Sequence, residues 1–441
     1  MRVEQTLSDQ ALTVLFMPES AYGPTNNCIG ISDVLHRRGH RVVFAAEASW
    51  QGRIAPLGFE EDLVDLAPPP AGDAAEQDAG QFWKDFILQT APEFRKPTIE
   101  QLDTFIRPVF EELISGSQYC EPQLARIIDR VQPDVIVEDN VVGFPALRTA
   151  GVPFVRIVSC NPLEIKGPGV PPPFSGYPAD DQTEWKAFRA EYERVLRPTW
   201  TDFNSWVMDQ GAPPLPDLEF IHAGDANLYL YPEAADYQRD EPLGESWHRM
   251  DSAVRQTDAA YALPEALAGD GPLVYFSLGS LGSADVQLMQ RVISCLSATP
   301  YRYIVSKGPR HHEITLGPNM AGAEFLPQAS IIPMCDLVIT HGGNNTVTES
   351  LHFGKPMIVL PLFWDQHDNA QRVDELGMGV RLDTYRFTDR QMHEALDGLL
   401  GNAALRTRLS AAASAIQRRD GLHKAADLIE RTALERLTSP V

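Results

Sequence analysis

The segment from Thr340 to Gln371, THGGNNTVTESLHFGKPMIVLPLFWDQHDNAQ, holds the densest set of chemistry-bearing residues in the chain. It follows an apolar run, DLVI, that reads as a buried strand. His341, Gly342 and Gly343 fall in the turn after that strand, and Asn344, Asn345 and Thr346 open a helix. Free backbone N–H groups and the positive end of the helix dipole make such a turn an anion site. The glycines let the backbone approach the anion closely. His341 and Thr346 add side-chain donors, and a diphosphate suits the arrangement. Glu349 lies one helical turn beyond Asn345, placed to accept hydrogen bonds from a sugar diol. Asp365 and Gln366 follow Pro361 in the loop after the next strand, where parallel sheets bind their ligands. A carboxylate beside an amide suits hydroxyl recognition. The same residues are also compatible with a capped helix after a tight turn and a satisfied histidine.

Strands and helices must alternate to position such turns, and the chain has that grammar. LTVLFM (residues 12–17) reads as a buried strand, 20–27 as a loop, 28–38 as a helix closed by Gly39, and RVVFA (41–45) as the next strand. DVIV (134–137), a helix near 145–150 and a strand at 154–158 repeat the pattern. Apolar strands joined through helices imply parallel sheets covered on both faces. NLYLY (227–231) looks like the last strand of a first domain, and the polar stretch 232–270 ends in a linker. A second series places strands at 273–278, 303–305, 337–340, 357–360 and near 380–382, with three helices from about Thr388. The stretches 68–81 and 162–181 are rich in Pro and Gly and read as long loops. Around them stand Phe82, Trp83, Phe86, Trp185, Phe188, Tyr192, Trp200 and Trp206, as helix packing or as an apolar acceptor pocket.

Composition narrows the partners. The 441 residues are 44% hydrophobic and 22% charged, a globular profile long enough for two cores. The net charge of −23 argues against non-specific nucleic-acid binding, which rests on Lys and Arg neutralising phosphates. There is no basic run for an anionic membrane, no apolar stretch near the ~18 residues of a membrane span, and no signal-peptide pattern in MRVEQTLSDQ. Five scattered cysteines without CxxC spacing imply reduced thiols, no disulfide framework and no structural zinc. The expectation is a cytoplasmic protein. GxGxxG and GxxxxGK[ST] are both absent, which removes the main support for ordinary dinucleotide and P-loop readings.

The segment resembles the signature of the family 1 nucleotide-sugar glycosyltransferases, the UDP-glycosyltransferase family, which reads roughly THxGxNSxxE…GxPxxxxPxxxDQxxNA. His341, Gly343, Asn345, Thr346, Glu349, Gly354, Pro356, Pro361, Asp365, Gln366, Asn369 and Ala370 stand in register. FLPQ (325–328) is similar to the family's W-x-P-Q, VYFSLGSLG (274–282) to its VYVSFGS, and LFMP…RRGHRVVFA to its opening unit. The resemblance covers most of the chain and is weakest over 68–216.

That resemblance implies the α/β GT-B fold, two Rossmann-like domains facing each other across a cleft. Residues 1–250 would bind the acceptor, 251–270 link, and 271–420 bind the nucleotide sugar, with 421–441 crossing back onto the first domain. By resemblance, Phe325 stacks on the uracil or thymine, Gln328 sits by the base and Glu349 holds the ribose. Ser280, His341, Asn345 and Thr346 hold the diphosphate beside Gly343, and Asp365 and Gln366 read the sugar, in the form associated with glucose-type donors. No metal and no cofactor beyond the nucleotide-sugar cosubstrate are expected. The partners are that UDP- or dTDP-sugar and a small-molecule acceptor, and the protein is a monomer or homodimer.

One departure bears on mechanism. Family members carry a histidine just after the first strand, as in G-H-x-N-P, that deprotonates the acceptor. Counting back from Arg38-Gly39-His40, that position is Pro24. The histidine's partner Asp corresponds to Asp139, at the end of VIVE, also a plausible strand-end cap. A histidine base contributes about 10²–10⁴-fold. Three readings stand open: Asp139 or another cleft residue acts as base; the acceptor is an amine, thiol or acidic phenol needing less help; or the protein transfers nothing. The main expectation is an inverting hexosyltransferase. The alternatives are a non-catalytic auxiliary homologue and a GT-B enzyme of different chemistry.

Overall fold

The computed structural model describes residues 11–68 and 89–438. The first ten residues, 69–88 with Phe82, Trp83 and Phe86, and the last three lie outside this set. The first half supplies β1 (Thr13–Pro18), β2 (Arg41–Phe44), β3 (Glu60–Glu61), β4 (Val135–Asp139), β5 (Phe154–Val158), β6 (Ala226–Tyr229) and β7 (Trp247–Arg249). The second supplies β8 (Leu273–Ser277), β9 (Arg302–Ser306), β10 (Met320–Ala323), β11 (Leu337–Thr340), β12 (Met357–Val359) and β13 (Gly379–Arg381). They form two sheets, ordered β3-β2-β1-β4-β5-β6-β7 and β10-β9-β8-β11-β12-β13, and the pairings are parallel throughout. This is the doubly wound order. The strand order reverses between β1 and β4 and again between β8 and β11, and ligand crevices lie at such points, outside the carboxyl ends of the strands.

The main helices are α1 (Tyr22–Arg37), α2 (Arg107–Val131), α3 (Pro145–Thr149), α4 (Trp185–Asp209), α5 (Val286–Ser297), α6 (Asn344–His352), α7 (Gln366–Glu375), α8 (Asp389–Gly401), α9 (Ala403–Arg419) and α10 (Gly421–Thr438). α1 begins at Tyr22, so residues 22–27, expected as loop, are its first turns. Pro24 is tolerated there because first-turn N–H groups have no intrahelical acceptor to lose. Three short strands escaped the sequence pattern, one of them the two-residue β3. β7 extends the first sheet beyond β6, so the run at 227–231 is not its last strand. β10 (MAGA) is an edge strand of low β-propensity. Three or four residues are too few to show a period of two.

Both faces of the first sheet are covered. Val14, Phe16, Val42, Phe44, Val135 and Val137 pack with α1 and with Ala425, Ala426, Leu428, Ile429 and Ala433 of α10. Leu15, Val43 and Ile136 pack with Leu124 and Ile127 of α2 on the other face. Each fully buried side chain of this kind contributes about 1.5–3 kcal/mol. The last helix is therefore part of the first sheet's core. A third cluster joins α4 and the aromatics of 94–110 to the whole core of the second sheet, so the two halves share buried apolar surface. All five cysteines are free thiols. Among the described residues no helix is long and apolar enough to cross a membrane.

Candidate active site

The carboxyl ends of the two sheets face one cavity of about 690 Å³. Asp139, Ser280, Phe325, Gln328, His341, Gly343, Asn345, Thr346, Glu349, Asp365 and Gln366 all line it, as does Pro24. One wall comes from loops after β1, β4 and β5, the other from those after β8, β11 and β12.

On the second-sheet wall, β11 delivers His341 at the mouth of α6. Gly343 is the N-cap and offers no side-chain cap, so the N–H groups of the first turn stay open toward the cavity. A Cβ on Gly343 would lie 2.7 Å from His341 Nε2, and one on Gly279 2.7 Å from its Cε1. The ring occupies a slot that exists because both residues are glycine. Burial lowers His341 to a pKa of about 4. The ligand-free ring is therefore neutral and offers a hydrogen bond rather than a charge.

Deeper in the wall, Gln328 Nε2 donates to Glu349 Oε2 at 2.6 Å, and Arg255 Nη1 donates to Oε1 at 3.2 Å. Burial raises the Glu349 pKa, and the Arg255 charge opposes it. Arg255 also pairs with Asp258, and both line the cavity, although the sequence places them in a linker. Their chemistry was visible, but nothing in the local pattern says that the linker folds back. Phe325 is 49% exposed, with its ring 5.7 Å from that of Tyr22 across the cleft. Gln366 Oε1 accepts from Leu362 N and Phe363 N at 3.0 and 3.2 Å, which leaves its amide N–H groups to face a ligand. Trp364 takes a left-handed φ of 58°, an uncommon conformation for a bulky residue, beside Asp365.

On the first-sheet wall, Asp139 ends β4 and is 3% exposed. Burial raises its pKa to about 8, against the hydrogen bond from Ser159 and with the help of Glu164 and Glu19. Tyr22, Trp50, Phe105, Phe363 and Trp364 give the cavity an aromatic lining.

The two walls are tied directly. Asn161 N donates to Asp365 Oδ2 at 2.8 Å, and Asn161 Nδ2 to Asn369 Oδ1 at 2.8 Å. Asn344 Nδ2 donates to Ser159 O at 2.8 Å and Leu230 O at 3.1 Å. Asp368 accepts from Phe174 N and Gly176 N at 2.7 and 2.8 Å. Asn27 Nδ2 donates to Ser159 Oγ and to Asn345 Oδ1, both at 2.8 Å. Sequence reading missed Asn27, Ser159 and Asn161. Asn27 had no signal of its own, since the Asn of the G-H-x-N-P pattern falls on Asn26 and Asn27 stands at its Pro.

The model of the family described as UDP-glucoronosyl and UDP-glucosyl transferase matches residues 262–415. The oleandomycin glycosyltransferase of Streptomyces antibioticus is 26% identical over 431 residues, 93% of this chain and 88% of that protein. The NDP-glycosyltransferase YjiC of Bacillus subtilis (strain 168) is 22% identical, over 93% of this chain and 94% of its own. Among solved structures, the kitacinnamycin glycosyltransferase superposes with a TM-score of 0.67 at 21% identity, covering 96% of this chain and 99% of that one. The calicheamicin glycosyltransferase CalG4 gives 0.64 at 17% identity, covering 98% and 100%. The C-terminal signature, the two doubly wound sheets and these likenesses agree: the chain has the GT-B fold and is similar over most of its length to bacterial nucleotide-sugar glycosyltransferases of family 1.

Proposed function

We propose that this chain is an inverting, metal-independent glycosyltransferase that moves a hexose, glucose in the first instance, from a UDP- or dTDP-sugar to a small, largely apolar natural product. The supporting observation is the single cavity that sets Asp139 on one wall and His341 with the open mouth of α6 on the other. In this reading the diphosphate sits on the first turn of α6 with His341, Ser280, Asn345 and Thr346. The helix end stabilises the charge that develops as the diphosphate leaves. Glu349 and Gln328 take the nucleoside with Phe325 against its base, and Asp365 and Gln366 take the sugar. The aromatic lining takes the acceptor, a phenol, alcohol, amine or thiol. Relatives point the same way: one solved relative holds DTDP, and another a spinosyn aglycone.

Pro24 has no proton acceptor, so Asp139 serves as the base. A group of pKa about 8 is ionised in about a tenth of molecules at pH 7, which suits a base working near neutrality. The acceptor oxygen, nitrogen or sulfur attacks the anomeric carbon in line as the bond to the diphosphate breaks, and the anomeric configuration inverts.

The test is calorimetric titration of the protein with UDP-glucose and dTDP-glucose, with His341→Ala as control. Binding of one donor in the micromolar range, lost in the variant, supports the reading and selects the nucleotide. Binding of neither overturns it and favours the non-catalytic homologue that Pro24 alone would suggest.

A further inference from the structure

The carboxylate of Asp139 is not bare. Its Oδ2 accepts from Ser159 Oγ at 2.5 Å and from Cys28 Sγ at 3.8 Å. Ser159 Oγ in turn accepts from Asn27 Nδ2 at 2.8 Å. The second N–H of that amide goes to Asn345 Oδ1 at 2.8 Å, at the mouth of α6 in the opposite wall. Asn345 Nδ2 donates to the backbone carbonyl of Gly23 at 3.0 Å, next to Pro24.

The polarity of this chain follows from its end. A carbonyl oxygen only accepts, so Asn345 must turn its NH₂ to Gly23 and its oxygen to Asn27. Asn27 must then present N–H groups to both Asn345 and Ser159. A hydroxyl has one proton and two lone pairs. With one lone pair filled by Asn27, the proton of Ser159 points at Asp139 and one lone pair remains. Ser159 and Asp139 both line the cavity.

We propose that Ser159 is a catalytic hydroxyl standing between the acceptor and Asp139, held in register by Asn27 as a positioning residue, and that this chain replaces the base missing at Pro24. The inference rests on the proposed glycosyl transfer. In the step, the acceptor's O–H or N–H proton passes to Ser159 Oγ while Ser159's own proton passes to Asp139 Oδ2. The acceptor atom bonds to the anomeric carbon, and the anomeric C–O bond breaks with its electron pair leaving on the diphosphate. Ser159 ends neutral, and Asp139 ends as the carboxylic acid. Because Asn27 is tied to Asn345, the hydroxyl is oriented only when the donor wall is in place.

The other groups around Asp139 are Glu19 just after β1, Glu138 beside it on β4, Cys28 on α1, and Cys160 and Glu164 after β5. Glu164 and Glu19 disfavour its ionisation, and the Ser159 hydrogen bond is the largest influence favouring it. Ser159→Ala should therefore move the acid limb of a pH–rate profile to higher pH.

The experiment uses the full chain and three variants, Ser159→Ala, Ser159→Thr and Asn27→Ala. Release of nucleoside diphosphate from UDP-glucose and dTDP-glucose is followed from pH 5.5 to 9.5, with the apolar amine 3,4-dichloroaniline and with water alone as nucleophile. Calorimetry measures donor affinity in parallel. Ser159→Ala should lower kcat by about 10²-fold or more, leave donor affinity within twofold, and raise the inflection. Ser159→Thr should restore most of kcat. Asn27→Ala should fall between them. A wild-type kcat and inflection in Ser159→Ala, or a Thr variant as slow as the Ala variant, overturns the assignment. A wild-type protein that binds donor and releases no diphosphate at any pH overturns it too. Failure of the wild type to bind either donor refutes the glycosyl-transfer reading beneath it.

Discussion

Gly343→Ala adds one methyl group to the backbone of the candidate donor site. Its φ of −57° is open to any residue, so the substitution strains no dihedral. The new Cβ would lie 2.7 Å from His341 Nε2 and 2.9 Å from Cε1. Carbon and nitrogen in contact need about 3.5 Å, so the ring must retreat by about 0.8 Å. Retreat is limited, because the same ring edge faces Gly279, where a Cβ would stand 2.7 Å from Cε1. The ring swings into the cavity instead. A hydrogen bond to a charged group contributes about 1.5–3 kcal/mol. Donor affinity should therefore fall by about tenfold to a hundredfold. Folding should be nearly unaffected, since the ring moves into open space and α6 keeps its backbone. The assay is calorimetric titration with the donor that the wild type binds, alongside thermal unfolding. A variant that binds donor as tightly as the wild type would refute the slot argument and with it the role given to His341.

Other consequences follow from the buried charges and the ties between the walls. Burial raises Asp139 and Asp368 to about 8 and Asp365 to about 7, so the folded state holds protons that the unfolded chain has released. Stability from these groups is therefore present at low pH and lost as pH rises through 7 to 8. His341, at about 4, and His367, at about 3, act oppositely, because the unfolded chain takes up protons below about 6.5 that these rings refuse. Denaturant midpoints should thus rise by the equivalent of about 2–4 kcal/mol from pH 8 to 6.5 and rise more slowly below it, where the two histidines offset two of the three carboxyls; a midpoint that falls over that first interval contradicts the burial of these carboxyls. Asp368→Ala strands the N–H groups of Phe174 and Gly176 and should cost about 2–4 kcal/mol, read as a lower melting temperature, with Asp368→Asn closer to wild type. Asn161→Ala removes the bridge to Asn369 but keeps the backbone bond to Asp365, so it should weaken donor binding only a few-fold by calorimetry; a complete loss would place Asn161 in direct contact with the sugar.

Much of this was legible because the signals are local. The turn at 341–346 and the pair Asp365-Gln366 lie beside strands whose apolar runs are unmistakable, and all of these residues but Gly342 line one cavity. The seven-strand sheet was harder to read. β3 and β7 have two and three residues, too few for alternation to register. The start of α1 was hidden by Gly23 and Pro24, which read as loop residues but are both tolerated in a first turn. The missed site residues share one feature. Asn27 meets Ser159 across 132 positions and Asn345 across 318, and Asn161 meets Asp365 across 204. Contacts of that range are set by how two sheets face each other, and no window along one chain contains them. Arg255 is the same case, as a linker residue whose partner Glu349 is 94 positions away.

In the proposed mechanism the carboxylate of Asp139 does the work of the histidine missing at Pro24. The most direct measurement is the pH–rate profile of nucleoside diphosphate release by the wild type beside Asp139→Asn. The wild type should show a single acid limb of unit slope, rising about tenfold per pH unit to an inflection near 8. Asp139→Asn should keep donor affinity, lose about 10²–10⁴-fold in rate and lose the limb. An Asn variant with the wild-type rate, or with the same limb at a lower rate, would contradict the claim and assign the proton to another group.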